Sequence, residues 1–363
     1  MSVSVPLRAR LPKASGALLA ASLALLAGLA GCETPPPPPP PAPPPIAVIP
    51  PPPPVLLPRN VVELAAVYED YVGQAAAIDP GFTSGDRVAE SLKTAEHYQT
   101  SQFQRGQAAY GAIVALQDPT FVAAVREFAK DPVQRSQIAN MIMSDPSYAT
   151  TFKGADSAAG LVIATFSDQG RKLIAAGGKI RQAAYDVQHQ SWSKADVPDR
   201  PGRLALAKSL SEDEQKAVEV NTLRLEQNAS GKEAMGLAAP PASAPYTPLV
   251  ARALAVAAMA ALGEGGDEYA PQLTALLADN AEGQCLHLAK LNLYQCLSVA
   301  KPHYEDVFCL GQHAVGETGQ CMMKGSVAGY VIPSSLAAST PQPQPAATST
   351  ATRHGKKKSA SKG

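Results

Sequence analysis

Aromatic side chains are scarce in this chain, whose 363 residues include 7 Phe, 11 Tyr and 1 Trp. Alternating runs of β-branched and aromatic residues, the mark of a sheet protein, are correspondingly few. Neither sign of charge is in excess, since 31 basic residues meet 31 acidic ones. That balance excludes a chain basic throughout for nucleic acid. Cysteine is limited to 5, with no Cys-x-x-Cys pair. His-Glu-x-x-His, Gly-x-Ser-x-Gly and a phosphate-cradling Gly loop are also absent, and each absence removes a familiar route to hydrolysis or nucleotide binding. No apolar run reaches the roughly 20 residues of an ordinary membrane span. A length of this order still allows one large or two ordinary domains.

What is present is strongly segregated. Arg8, Arg10 and Lys13 stand at the front, and Arg353, Lys356, Lys357, Lys358 and Lys362 at the end. The portion between them, 32–352, is net acidic by 8 charges. The three leading charges precede an apolar stretch from Ala17 to Ala27, then small residues, the order of an export signal. Leu29-Ala30-Gly31-Cys32 follows and resembles the lipobox of bacterial lipoproteins. That resemblance implies acylation of Cys32 and cleavage before it. Two or three acyl chains then anchor stably, at about 0.8 kcal/mol per buried CH2. Glu33, rather than Asp, implies sorting to the outer membrane, facing the periplasm. The covalent lipid is the only non-protein group expected; no cofactor is.

Of 34 prolines, 16 lie between Pro35 and Pro58. Proline fixes φ and removes a donor, so this segment is expected to be polyproline II. Its 25 residues from Thr34 to Pro58 would extend about 75–80 Å as a semi-rigid spacer. Ile46-Ala47-Val48-Ile49 and Val55-Leu56-Leu57 interrupt it with apolar patches able to pack on the body.

From Asn60 to Ile332 the pattern is helical. Asn60 is placed to cap a helix carrying Val61, Leu64, Val67, Tyr68, Tyr71 and Val72 on one face. A second helical stretch runs from Asp86 to Leu116. Asp118-Pro119, Asp131-Pro132 and Asp145-Pro146 each combine a capping Asp with a Pro suited to the first helical position. Helices follow near 157–166, 170–188 and 204–228, the last with a capping box of Ser211 and Glu214. Leu249 to Leu262 is apolar on nearly every side and reads as a buried core helix. The fold class expected is all-α, an alanine-rich multi-helix body with a disulfide-stapled C-terminal hairpin. Its layout is a signal over 1–31, a lipidated Cys and spacer over 32–59, and a helical domain over 60–237. A Pro/Ala linker over 238–248, a Cys-containing helical subdomain over 249–332 and a disordered basic tail over 333–363 complete it.

Cys285, Cys296, Cys309 and Cys321 are an even set in an exported chain, the expectation for two disulfides. Cys285 and Cys296 fall on one helical stripe but about 16.5 Å apart, too far to bond each other. With Pro302 breaking the chain between the pairs, an antiparallel hairpin favours Cys296–Cys309 inside Cys285–Cys321. A weaker alternative is a metal held by Cys309 and His313 at i, i+4.

Ser191-Trp192-Ser193-Lys194 resembles the Ser-x-x-Lys acylating pair of penicillin-recognising enzymes, without its companion motifs. The reading favoured by the anchor–spacer–body layout is a non-enzymatic envelope protein with a structural or binding role. Its partner would be a protein or a cell-wall polymer, the polymer met by the tail charges Arg353, Lys356, Lys357, Lys358 and Lys362. The alternatives are a cell-wall hydrolase using Ser191 and Lys194, and an accessory factor in outer-membrane assembly or secretion.

Overall fold

The computed structural model describes residues 51–278 and 280–333. The signal, the lipobox with Cys32, most of the proline segment and the tail charges lie outside the described residues. Within them the chain is all-α, with fourteen α-helices and no strand. They are α1 (Arg59–Ala76), α2 (Gly85–Glu96), α3 (Thr100–Ala115), α4 (Pro119–Ala129) and α5 (Pro132–Ser144). Next come α6 (Ala155–Val187), the single turn α7 (Ser191–Lys194), α8 (Arg200–Leu210), α9 (Glu219–Ala229) and α10 (Pro248–Leu262). The chain ends with α11 (Ala270–Leu276), α12 (Asn280–Val299), α13 (His303–Cys309), a π-helical turn over Leu310–Gly316, and α14 (Glu317–Ser326).

The Asp-Pro pairs behave as their chemistry requires. Asp118 accepts from the Phe121 amide at 2.8 Å and opens α4, and Asp131 accepts from Val133 at 2.7 Å and opens α5. Asp145 accepts from Ser147 at 2.9 Å, but starts a short 3-10 helix rather than an α-helix. Helix α10 is buried along its length and stops at Gly263, which has φ of 86°. It packs against α3, α4, α5 and α6. The few aromatics gather in groups: Tyr68, Tyr71, Tyr98 and Phe103 meet at edge-on or tilted angles with centroids 4.7–5.4 Å apart, and Phe121, Phe128 and Tyr148 surround Phe152.

Several boundaries differ from the sequence reading. Asn60 is not a cap: α1 already begins at Arg59 behind Pro58, and Asn60 instead donates to Thr274 Oγ1 at 3.2 Å. The stretch 86–116 is broken at His97–Gln99, where the Gln99 side chain accepts from the Gln102 amide and restarts the helix as α3. Conversely, 157–166 and 170–188 are one helix, because Gly170 faces α14 closely instead of ending the turn.

The stretch 204–228 is two helices, and the capping box is absent. Ser211 ends α8, its hydroxyl donating back to the Ala207 carbonyl at 2.8 Å. The following segment is non-helical because Gln102 clasps it, donating to the Gln215 carbonyl at 2.7 Å and accepting from the Gln215 amide at 2.8 Å.

Two domain boundaries also shift. Residues 238–248 do not separate one core from another: the buried apolar residues on both sides form one continuous cluster. The segment lies on α6, with the Ala242 amide donating to the Asp156 carbonyl at 2.9 Å. The last residues of the proline segment belong to the body as well. Val55 and Leu57 pack against the core, and the Pro53 carbonyl accepts from Arg126 at 3.0 Å.

Candidate functional site

The C-terminal hairpin is stapled in the nested arrangement. Cys296 of α12 bonds Cys309 at the end of α13, and Cys285 bonds Cys321 of α14, with Cα separations of 5.7 and 5.6 Å. Cys309 is therefore not a metal ligand, and the Cys309–His313 alternative fails. His313 Nδ1 instead lies 2.8 Å from Glu317 Oε1. No group of three or more metal-ligating side chains occurs among the described residues. The glycines at 311, 316 and 319 do not interrupt the hairpin, and at 311 and 319 a Cβ would run into the α6 backbone, so these two let it approach α6.

The inner staple holds one wall of a cavity of about 350 Å³. Asp306, one turn before Cys309, lines it together with Glu96 from α2 and Arg203 from α8. Arg203 and Asp306 form an ion pair, their side chains 12% and 3% exposed. A second Arg203 nitrogen donates to the Leu297 carbonyl at the end of α12. Arg200 reinforces that joint by donating to the Ala300 carbonyl at 2.7 Å. The helix carrying Cys296 thus ends on the residues that set the cavity. The strand-like pairing of Asp196 with Pro302 closes the same corner.

Behind the cavity lies Lys290 of α12, only 5% exposed. Its Nζ donates to the Glu96 carbonyl at 2.7 Å and to Ser211 Oγ at 2.9 Å. Burial pushes Lys290 down to about 7, opposed by Glu96 and Glu212. The Glu96 carboxyl, itself 2% exposed, is pushed up to about 8 by burial, with Lys290 pulling against it and Asp306 adding to it. Asp306 is also raised by burial, against the pull of Arg203.

Two atoms here have no partner, Glu96 Oε1 and Arg203 Nε, both buried. At the mouth, Asp199 has φ of 45°, the one non-glycine residue among those described in the left-handed region. It holds that strain while capping α8, accepting from the Gly202 amide at 3.1 Å.

The sequence-based candidates lie elsewhere. Ser191 and Lys194 are both exposed on the single turn α7, and no hydrogen bond joins them. Ser193, not Ser191, is buried, and it donates to the Gln190 carbonyl at 3.0 Å. Trp192 packs against the core, its ring 6.4 Å from that of His303. Glu96, Lys290, Arg203 and Asp306 were not singled out. A signal was nevertheless there: Glu96 continues the Val88–Leu92 stripe at four-residue steps, and Lys290 stands between Leu286 and Leu293 on theirs. A charge inside an apolar stripe must be either paired or functional.

The fold and site together define a disulfide-stapled all-helical body with an ionic cavity. No family model matches the sequence, no curated protein is significantly similar to it, and no solved structure matches it.

Proposed function

We propose that this protein is a cell-envelope lipoprotein with a structural or binding role, whose helical body is held off the outer membrane by a lipid and a proline-rich spacer. The observation that carries the reading is the order of Arg8, Arg10 and Lys13, the apolar run, and Leu29-Ala30-Gly31-Cys32. The two disulfides support export, since such bonds persist in oxidising compartments. With Val55 and Leu57 docked on the body, 34–50 are the part of the expected spacer that precedes the described residues, and as polyproline II they would span about 50 Å at 3.1 Å per residue. The tail charges Arg353, Lys356, Lys357, Lys358 and Lys362 add a screened attraction toward anionic polymers of the envelope.

The test is metabolic labelling with an alkyne fatty acid followed by membrane fractionation. The natural chain is expected to take up label and sediment with membranes, and Cys32→Ala to do neither. Label uptake or membrane retention by Cys32→Ala would overturn the anchor.

A further inference from the structure

A second cavity, of about 510 Å³, lies between the end of the proline segment and α9. Leu56 and Leu57 line it from the segment, Val62 from α1, and Leu223 and Ala229 from α9. Val220, one turn before Leu223 on the same face of α9, carries the apolar stripe beyond the cavity. Leu56, Leu223 and Val220 are 46%, 45% and 68% exposed, so this apolar surface faces solvent. Exposed apolar groups gathered along a groove and rimmed by polar ones mark an interaction site.

The rim has an excess of one sign. Arg59 is shared among three carboxylates, those of Glu63, Glu219 and Glu226. Asp267 accepts from the Arg59 amide at 3.1 Å, and the Glu268 carboxylate lies against Gly266 in the cavity wall. With Lys232 as the second cation of the lining, five carboxylates stand against two cations. Such a rim repels an anionic membrane surface and favours a basic partner. Val220, Leu223 and Gln227, at i, i+3 and i+7, present an exposed ridge along which a second helix can lie.

We propose that this groove receives an amphipathic helix of a partner protein, apolar along one face and basic along its flanks. The apolar face lies on Leu56, Leu223 and Val220, and the basic flanks meet Glu219, Glu226 and Asp267. The partner is thereby held where the spacer joins the body. This rests on the binding role proposed above and not on the lipid, which the Cys32→Ala labelling tests separately.

The test uses fluorescent helical peptides of about 14 residues, roughly four turns. One has a leucine stripe flanked by lysine, one the same stripe flanked by glutamate, and one the leucines and lysines of the first shuffled to remove the stripe. Binding to the full-length protein in a non-ionic detergent is read as anisotropy, with a protein-free blank for uptake by micelles. The striped lysine peptide is expected to bind at least about tenfold more tightly than either of the others.

Replacing Val220 and Leu223 together by Ser removes the stripe from exposed positions. It should weaken that peptide at least about tenfold and change the unliganded Tm by no more than about 2 °C. The same double change at Leu288 and Leu291, the exposed leucines of α12, should leave binding as it is. Glu219→Gln with Glu226→Gln should weaken it about threefold and flatten its salt dependence. The proposal is overturned if the glutamate or shuffled peptide matches the striped lysine one, if the Val220/Leu223 variant binds as the natural chain does, or if the α12 variant loses binding as well. A mass that doubles with concentration in the natural chain but not in the Val220/Leu223 variant would make a second copy the occupant. Binding that appears only once 353–363 are deleted would make the tail the occupant, and either result also overturns the proposal.

Discussion

Lys290 Nζ lies 3.6 Å from the centre of the Tyr98 ring, in a residue that is only 5% exposed. Its other contacts are the Glu96 carbonyl and Ser211 Oγ, so ring face, carbonyl and hydroxyl together occupy the three directions of an ammonium group. Nothing is left over for the Glu96 carboxylate, which is held near the cation by charge alone. α12 therefore takes its cation deep into the core and leaves an acid without a hydrogen bond at Oε1.

A stability profile follows, and its sign is fixed by the direction of each shift. For Glu96 the folded value is raised from 4.5 to about 8, so its contribution is complete below 4.5 and lost as pH rises through 8. For Lys290 the folded value is lowered from 10.5 to about 7, so its contribution is complete above 10.5 and lost as pH falls through 7. The two losses meet between about 7 and 8. Glu96→Gln should match the natural chain near pH 5, where the acid is already protonated. It should be more stable at pH 8, by on the order of a few kcal/mol. Urea unfolding at the two pH values measures the gap; an equal gap at both would refute the assignment.

The staples make separable contributions. Cys296–Cys309 spans 13 residues and Cys285–Cys321 spans 36. By loop-closure entropy their removal should cost about 3 and about 4 kcal/mol respectively. Replacing Cys296 and Cys309 together by Ser should also loosen α13, and with it the Arg203–Asp306 pair at the cavity. Replacing Cys285 and Cys321 should leave that pair in place. Denaturant midpoints, read alongside hydrogen exchange of the α13 amides, distinguish the two. Exchange that responds equally to both pairs would contradict the linkage between inner staple and cavity.

Much of this body could be read from residue spacing alone. The Asp-Pro starts, the buried Leu249–Leu262 helix and the nested disulfides are local events: a cap needs one carboxylate, and a stripe needs only its period. What failed was decided at a distance. Ser211 and Glu214 have the spacing of a capping box, yet Gln102, over a hundred residues earlier, claims the backbone at Gln215 and keeps it out of a helix. The linker composition of 238–248 is real, but Gly160 of α6 offers a surface flat enough for Pro240 to lie on, so the segment docks instead of dividing. The cavity was hidden for the same reason, because its walls come from α2, α8 and α13, and no stretch of sequence contains two of them.

Gly177 and Gly178 are neighbours on α6 with opposite roles, and that contrast gives the sharpest test of how the hairpin is held. A Cβ at Gly177 would stand 2.5 Å from the Gly311 carbonyl oxygen and 2.7 Å from the Gly316 backbone. These are main-chain atoms of the π-helical turn, which cannot swing aside as a side chain can. Gly177→Ala must therefore push α6 and the hairpin apart, with an expected loss of about 2–3 kcal/mol from overpacking. At Gly178 a Cβ meets nothing within 4 Å. There Gly178→Ala only restricts the unfolded chain and improves helix propensity, so a gain of about 0.5–1 kcal/mol is expected. Thermal melts of the two single variants decide the matter. Opposite shifts in Tm establish that α6 and the π-helical turn touch backbone to backbone, and a common shift in either direction would mean that the crossing is looser than these distances describe.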